Sequence, residues 1–194
     1  MAGREPVPVH VGTQLSTRIL VIHPYDPTTQ FLREIYRGIE CRLMSDFTVY
    51  NGKEKKALKN LIRKYDTIIM LGHGSDLGLY DRLQARYIID SSFADILRTK
   101  KIIGIWCHAN IYFLNNALEG FHSGMFISEP DEAGVYGVDA GENCHFLTES
   151  NELFAKVMGD ALREEKDVKE YVNYNYTTDG SNEVITANRK FMFG

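Results

Sequence analysis

The sequence predicts an α/β fold, a three-layer sandwich in which a mostly parallel central sheet is flanked by helices on both faces. Three observations predict this class. Short apolar runs alternate along the chain with segments whose apolar residues recur at helical intervals. The runs themselves are almost entirely apolar, as is typical of parallel strands that are buried on both faces. Several runs end in polar segments, and parallel sheets carry their working side chains at that position.

Five apolar runs are predicted as strands of the central sheet. They are RILVIHPYD (residues 18–26), FTVYNG (47–52), DTIIMLG (66–72), KIIGIWC (101–107) and GMFISEP (124–130). The runs centred on Val21, Ile69 and Ile103 are the most uniformly apolar, so we expect them in the middle of the sheet. A hairpin is predicted over residues 78–90, where two apolar segments flank a polar middle.

Helices are predicted between the strands from the spacing of apolar residues and from capping residues. They cover residues 28–44, 54–65, 91–100, 109–120 and 150–165. The tail from about Val168 is rich in tyrosine, asparagine and threonine, and no element is assigned to it. In this interpretation residues 17–194 form a single domain, and residues 1–16 form a flexible N-terminal arm.

The composition is that of an ordinary globular protein, with 44% apolar and 25% charged residues. The formal net charge of −4 and the lack of a basic stripe argue against a nucleic-acid polymer as partner. No secretory signal or membrane span is expected, so no membrane partner is predicted. Cys41, Cys107 and Cys144 have neither metal-ligand nor disulfide spacing, which favours reduced thiols in the cytoplasm, with no metal and no cofactor.

Two reactive residues close neighbouring apolar runs. His73 follows the run at 66–72 and precedes Gly74, while Cys107 ends the run at 101–107 and precedes a predicted helix. A helix N-terminus lowers the pKa of a nearby thiol, so we expect Cys107 to form a nucleophilic thiolate near neutral pH. His73 is then the general base, and the backbone N–H groups of Gly74 and Cys107 form the oxyanion hole.

These motifs resemble those of the caspase-like cysteine peptidases, the broad group that contains caspases, metacaspases, gingipains, legumain and CHAT-domain proteases. In that group an apolar strand ends in His-Gly, and some tens of residues later another apolar strand ends in the nucleophilic cysteine. The segments IIMLGHGSDLGLY and YIIDSSFADILRTKKIIGIWCHAN carry the resemblance, which extends over residues 17–165. It implies a caspase-like, flavodoxin-related fold and a His73–Cys107 dyad acting on peptide bonds. Trp106 departs from the pattern, because caspases usually have a small residue before the nucleophile.

The segment GMFISEPDEA lies where the caspase-like group has its substrate-contacting loop. Its acidic side chains Glu129, Asp131 and Glu132 are candidates for binding a basic substrate side chain, and Trp106 is a candidate for narrowing the cleft. The expected partner is a protein or peptide substrate. A homo-oligomer is compatible with the sequence.

A different class of function stays open for the same edge of the sheet. Residues His23, Asp26, Thr28 and Thr29 lie where the first strand leads into a predicted helix, and a helix N-terminus can hold an anion. The alternative is therefore a non-catalytic domain that binds a small anionic or nucleotide-like ligand, with Trp106 stacking on a base. A third interpretation is an interaction module that docks through its tyrosine-rich tail.

Overall fold

A computed structural model describes residues 17–194 and confirms the α/β class. The predicted arm, residues 1–16, lies outside the described residues. The strands are β1 (Ile19–Ile22), β2 (Cys41–Met44), β3 (Thr67–Leu71), β4 (His73–Ser75), β5 (Gly78–Asp81), β6 (Arg86–Ile89), β7 (Lys101–Ile105), β8 (Phe121–Ser123) and β9 (Met192–Phe193). The α-helices are α1 (Arg33–Tyr36), α2 (Gly52–Ile62), α3 (Ala94–Leu97), α4 (Ala109–Asn115), α5 (Pro130–Tyr136), α6 (His145–Arg163), α7 (Val168–Asn175) and α8 (Glu183–Arg189). Short 3-10 helices occupy Pro27–Leu32, Ser91–Phe93 and Glu142–Cys144.

Six strands form the central sheet, in the order β2-β1-β3-β7-β8-β9. The first five are mutually parallel, and β9 pairs antiparallel with β8. Val21 pairs with Ile69, and Ile69 with Ile103, so the three most apolar runs lie side by side in the interior of the sheet as predicted.

Both faces of this sheet are covered by helices, as predicted. Leu20, Ile68 and Ile102 face a core that includes side chains from α2, α3 and α4. The alternate strand residues Val21 and Ile69 face a second core, which receives side chains from α1, α6, α7 and α8. The period of two along each strand divides the apolar side chains between these two layers.

The second strand lies earlier in the chain than predicted. The predicted helix over 28–44 ends at Tyr36, Gly38 adopts a positive φ of 75°, and residues Cys41–Met44 pair with β1. Pairing along β1 outweighs the helical spacing of the apolar residues in this segment. The predicted strand over 47–52 is wrong: this segment is a loop that leads into α2 at Gly52, and its backbone carbonyls accept hydrogen bonds from Arg86.

The predicted strand at 124–130 is also wrong. The strand next to β7 is Phe121–Ser123, and the following loop leads into α5 at Pro130. Proline at the first helical position favours a helix start, as does the Glu132 carboxylate, which accepts a hydrogen bond from the Glu129 N–H. The Asn188 side chain bonds both the N–H and the carbonyl of Ile127, at 2.7 and 3.0 Å, in place of a strand partner.

The hairpin predicted over 78–90 is confirmed as β5 and β6, and β4 joins it to make a separate three-stranded antiparallel sheet. His73 and Gly74 therefore belong to a strand that leaves the central sheet, and they do not form a simple turn. The tail, which the sequence left unassigned, contains α7, α8 and the edge strand β9.

Trp106 connects the two sheets. Its indole is 1% exposed, packs against Tyr112 and Phe113, and donates a hydrogen bond from Nε1 to the Ser75 carbonyl at 3.0 Å. A Cβ atom at Gly74 would lie 2.1 Å from Trp106 Cδ1. Gly74 therefore allows β4 to cross directly over the indole ring.

We expect Gly74→Ala to lower the free energy of unfolding by about 2–3 kcal/mol, because the added methyl group overlaps the indole and the Gly78 carbonyl. Gly134→Ala is the matched control: this glycine lies inside α5 with open space around it, so alanine should be neutral or stabilising. Urea unfolding, followed by tryptophan fluorescence, gives the free energy of unfolding of both variants. Equal stability of the two variants would contradict the proposed contact.

Candidate active site

The segments that follow β1, β3 and β7 meet around a small crevice. Its walls include Thr29 after β1, His73 after β3 and Cys107 after β7. Ser128 and Glu132, from the segment after β8, complete it. The cavity measures about 20 Å³, which is room for roughly one water molecule. The structure thus brings the two residues of the predicted dyad to one place.

The His73 imidazole is held from the β1 side. Its Nε2 lies 2.8 Å from the Thr28 hydroxyl and 3.7 Å from Asp26 Oδ2. The Thr28 hydroxyl donates to Asp26 Oδ1 at 2.8 Å, so its oxygen is left to accept from His73. This assigns the proton of the neutral imidazole to Nε2 and leaves Nδ1 as the nitrogen able to take a proton.

Asp26 is the buried carboxylate behind His73. It is 5% exposed and accepts hydrogen bonds from the backbone N–H and the hydroxyl of Thr28. Burial acts to raise the pKa of Asp26, but the Thr28 hydrogen bonds, with His73 and Arg82 nearby, hold it below its usual value. A negative charge is therefore fixed next to the imidazole.

The surroundings of Cys107 raise the pKa of its thiol, whereas the sequence predicted surroundings that lower it. Its thiol donates to Glu132 Oε1 at 3.8 Å, and within the described residues no hydrogen bond joins it to His73. Burial raises the pKa of the thiol to about 12, and the negative charges of Glu132 and Glu129 act in the same direction. The expected lowering of the thiol pKa is wrong, because burial and the charges of two carboxylates outweigh the lowering effect of a hydrogen bond from the Phe126 backbone. The surroundings of Cys107 therefore favour the neutral thiol over the thiolate at physiological pH.

The three acidic candidates for substrate binding have different surroundings. One oxygen of the Glu132 carboxylate is committed to the backbone of the preceding loop, since Oε2 accepts from the N–H groups of Ser128 and Glu129 at 2.8 and 3.1 Å. Glu129 Oε1 lies 3.7 Å from Nη1 of Arg82, which comes from the turn between β5 and β6. Asp131 is exposed at the start of α5. The sequence does not predict that Arg82 lies near Glu129, because no local pattern indicates that this turn packs against the start of α5.

Trp106 is one of the residues that line the crevice, but its indole is not exposed for stacking. The indole ring belongs to the core beneath β4, so it offers no free face on which a base could stack. The large side chain before Cys107 is explained by the contact between the indole ring and Gly74.

The side chains of the alternative anion site are engaged in contacts with other residues of the protein. His23 is 3% exposed and contacts the Tyr36 hydroxyl and the Thr29 hydroxyl through its two ring nitrogens. Burial lowers the pKa of His23 to about 4, so it is neutral at physiological pH. Asp26 caps the Pro27–Leu32 segment by accepting from the Thr28 N–H, and both side chains contact His73. A neutral ring beside a fixed carboxylate does not favour an anion.

A larger cavity, about 1100 Å³, lies at the opposite, amino-terminal end of the strands. It contains neither His73 nor Cys107, so we place the candidate chemistry in the smaller crevice, where the reactive side chains meet. Among residues 17–194, no group of three or more His, Cys, Asp or Glu side chains is arranged to hold a metal ion. None of the helices in this range is long and apolar enough to cross a bilayer.

Comparisons of the chain with protein families, with curated proteins and with solved structures find no match. The function is therefore argued from the motifs and from the geometry of the crevice.

Glu132→Gln should increase the reactivity of Cys107, because it removes the nearest negative charge while keeping the length of the side chain. The thiol pKa should fall, although burial keeps it above its ordinary value. We expect the rate of iodoacetamide alkylation at pH 8 to rise by at least about threefold, which corresponds to half a pKa unit. Peptide mass spectrometry gives the rate for Cys107, with Cys144 as reference in the same molecule. Glu165→Gln, at the far end of the sheet, is the matched control, and an equal rate in both variants would contradict this account.

His23 should make folding stability depend on pH. Its pKa is about 4 when folded and near 6.5 when unfolded, so between these values the unfolded chain binds more protons. Its contribution is complete above pH 6.5 and is lost as the pH falls towards 4, by up to about 3 kcal/mol. Urea unfolding of the wild type and of His23→Gln between pH 4 and pH 6.5 measures this contribution to the free energy of unfolding. The difference between their free energies should change with pH, whereas parallel profiles would exclude His23 as the titrating group.

Proposed function

We propose that this protein is a cysteine peptidase with a caspase-like domain, in which Cys107 is the nucleophile and His73 the general base. The observation that carries the proposal is the meeting of these two side chains in one crevice, at the ends of the adjacent strands β3 and β7. The order β2-β1-β3-β7-β8 supports the flavodoxin-related architecture, because it is the 2-1-3-4-5 order of flavodoxin-like sheets. In such sheets ligands bind outside the carboxyl ends of the strands, where the winding changes direction.

The reaction starts from the neutral Cys107 thiol. The thiol proton passes to His73 Nδ1 as Sγ attacks the carbonyl carbon of the peptide bond. The resulting imidazolium is stabilised by the Asp26 carboxylate, which lies 3.7 Å from Nε2. Asp26 and Thr28 thus act as positioning residues, since they hold the ring and the tautomer and act on substrate only through His73.

The oxyanion of the tetrahedral intermediate needs backbone donors. The N–H of Cys107 forms no hydrogen bond with any other residue in the described range, so it is free to donate. Gly74, whose missing side chain lets β4 approach Trp106, is the second proposed donor. Collapse of the intermediate transfers the imidazolium proton to the amine that leaves. Water, deprotonated by His73, then hydrolyses the thioester to a carboxylate and the free thiol.

The peptidase is favoured over the anion-binding alternative by the charges of the crevice. Asp26 and Glu132 contribute carboxylates to its surroundings, and His23 is neutral. A protein or peptide chain is the proposed substrate. A reducing compartment such as the cytoplasm is the proposed location, because the reaction requires a free Cys107 thiol.

A peptidyl acyloxymethyl ketone should label wild-type protein on Cys107, since this probe requires an activated thiol. Cys107→Ala should abolish the label, His73→Ala should reduce its rate by about 100-fold or more, and Asp26→Asn should reduce it less. Cys41→Ala is the control and should keep full labelling. Intact mass and peptide mapping locate the adduct. Labelling that persists in Cys107→Ala, or an unchanged rate in His73→Ala, would overturn the assignment.

A further inference from the structure

The cavity at the amino-terminal end of the central sheet is lined by one row of strand residues. The register of the parallel strands aligns the first residues of β2, β1, β3 and β7, and all four line the cavity: Cys41, Ile19, Thr67 and Lys101. The C-terminal ends of α2 and α6, with the residues that follow them, complete the lining. The volume of about 1100 Å³ is at the upper end for small-molecule sites.

This lining is basic, although the chain as a whole has a formal net charge of −4. Glu40 and Glu165 are its acidic residues, whereas the basic ones are Arg18, Arg42, Lys64, Lys101, Arg163 and Lys166. Within residues 17–194, Arg18 pairs with Asp66 and Arg163 with Asp160, and the other four basic side chains have no ion-pair partner. An excess of positive charge is therefore gathered around one cavity.

Helix ends explain only part of this positive charge. Lys64 and Lys166 follow the C-termini of α2 and α6, where the helix dipole favours cations. Arg42 lies within β2 and Lys101 is the first residue of β7, so helix capping does not account for them. Both of these strand residues are exposed.

A buried hydroxyl and an apolar wall add to the chemistry of the cavity. Thr67 is 3% exposed, and its hydroxyl has no hydrogen-bond partner among residues 17–194, so it can donate to a ligand. Ile39, Leu61 and Tyr65 are half-buried and line the same space. The lining thus combines groups that bind negative charge with a surface that can cover an organic part.

We propose that this cavity binds an organic polyphosphate, a ligand of nucleotide size with two or more phosphate groups. A phosphate carries more charge and more acceptor oxygens than a carboxylate, and an arginine such as Arg42 can bind it through two N–H groups. Residues 1–16 carry one arginine and one glutamate, so they do not supply such an anion. Basic residues around one cavity, with no basic stripe beyond it, favour a small ligand over a nucleic-acid polymer.

Calorimetric titration of the whole chain with ATP, inorganic triphosphate, adenosine and citrate, all without metal ions, tests the inference. ATP should bind most tightly, triphosphate more weakly, and adenosine and citrate not measurably. The double variant Arg42→Gln with Lys101→Gln should weaken ATP binding by at least about tenfold, and Thr67→Val by several-fold. Lys53→Gln with Lys56→Gln removes two exposed charges near the start of α2, and this matched control should bind as wild type.

Lysine acetylation by an N-hydroxysuccinimide ester locates the ligand on the wild-type chain, so this measurement does not depend on the folding of a variant. ATP should slow the modification of Lys64 and Lys101 and leave that of Lys53 unchanged, as read by peptide mass spectrometry.

Four results would overturn the proposal. They are no binding of ATP, citrate binding as tight as that of ATP, equal protection of Lys53, and an equal loss of affinity in the control double variant. Triphosphate binding as tight as that of ATP would overturn the role of the apolar wall. A DNA oligonucleotide that binds this cavity more tightly than ATP would assign it to a polymer instead.

Discussion

The pairing of β1, β3 and β7 determines where every other part of the candidate site lies. Val21, Ile69 and Ile103 stand in one row across these strands, each no more than 1% exposed. Because both faces of each strand are buried, a shift by one residue would turn apolar side chains towards the wrong layer, so the register is strongly specified. The three carboxyl ends are consequently level, and the segments that carry Asp26, His73 and Cys107 begin side by side.

The electrostatics of the crevice are set by two carboxylates with opposite consequences. Asp26 accepts a hydrogen bond from Thr28 and places a negative charge next to His73. Glu132 accepts from the Cys107 thiol and disfavours its thiolate. Cys107 is therefore favoured as a neutral thiol at rest, and in the proposed mechanism transfer of its proton to His73 becomes part of the nucleophilic attack. A substrate that separates Cys107 from Glu132 would remove part of the opposing charge, since negative charge near a thiol raises its pKa.

The C-terminal tail supports the side of the site that faces the proposed substrate. Asn188 on α8 bonds the backbone of Ile127 and also contacts Ser150 and Tyr176 in a buried network. This network holds the irregular loop after β8, which leads to Glu129 and Glu132. A loop without a strand partner needs its backbone groups satisfied in some other way, and a side-chain amide offers both a donor and an acceptor.

By itself, the sequence determined the α/β class, the three central strands, the hairpin and the position of His73 and Cys107 at one edge of the sheet. Long apolar runs and helical periodicity are local signals, and burial on both faces leaves few arrangements for such strands. Only the tertiary structure decided that Cys41–Met44 forms the edge strand, that 124–130 is a loop and helix start, and that the tail folds over the second layer. Short segments take the conformation that their partners select, and those partners are distant in sequence. The tertiary structure also determines the raised pKa of Cys107, through burial and nearby carboxylates, and the contact between Arg82 and Glu129. Both depend on distances of a few ångströms between side chains that are far apart in the sequence.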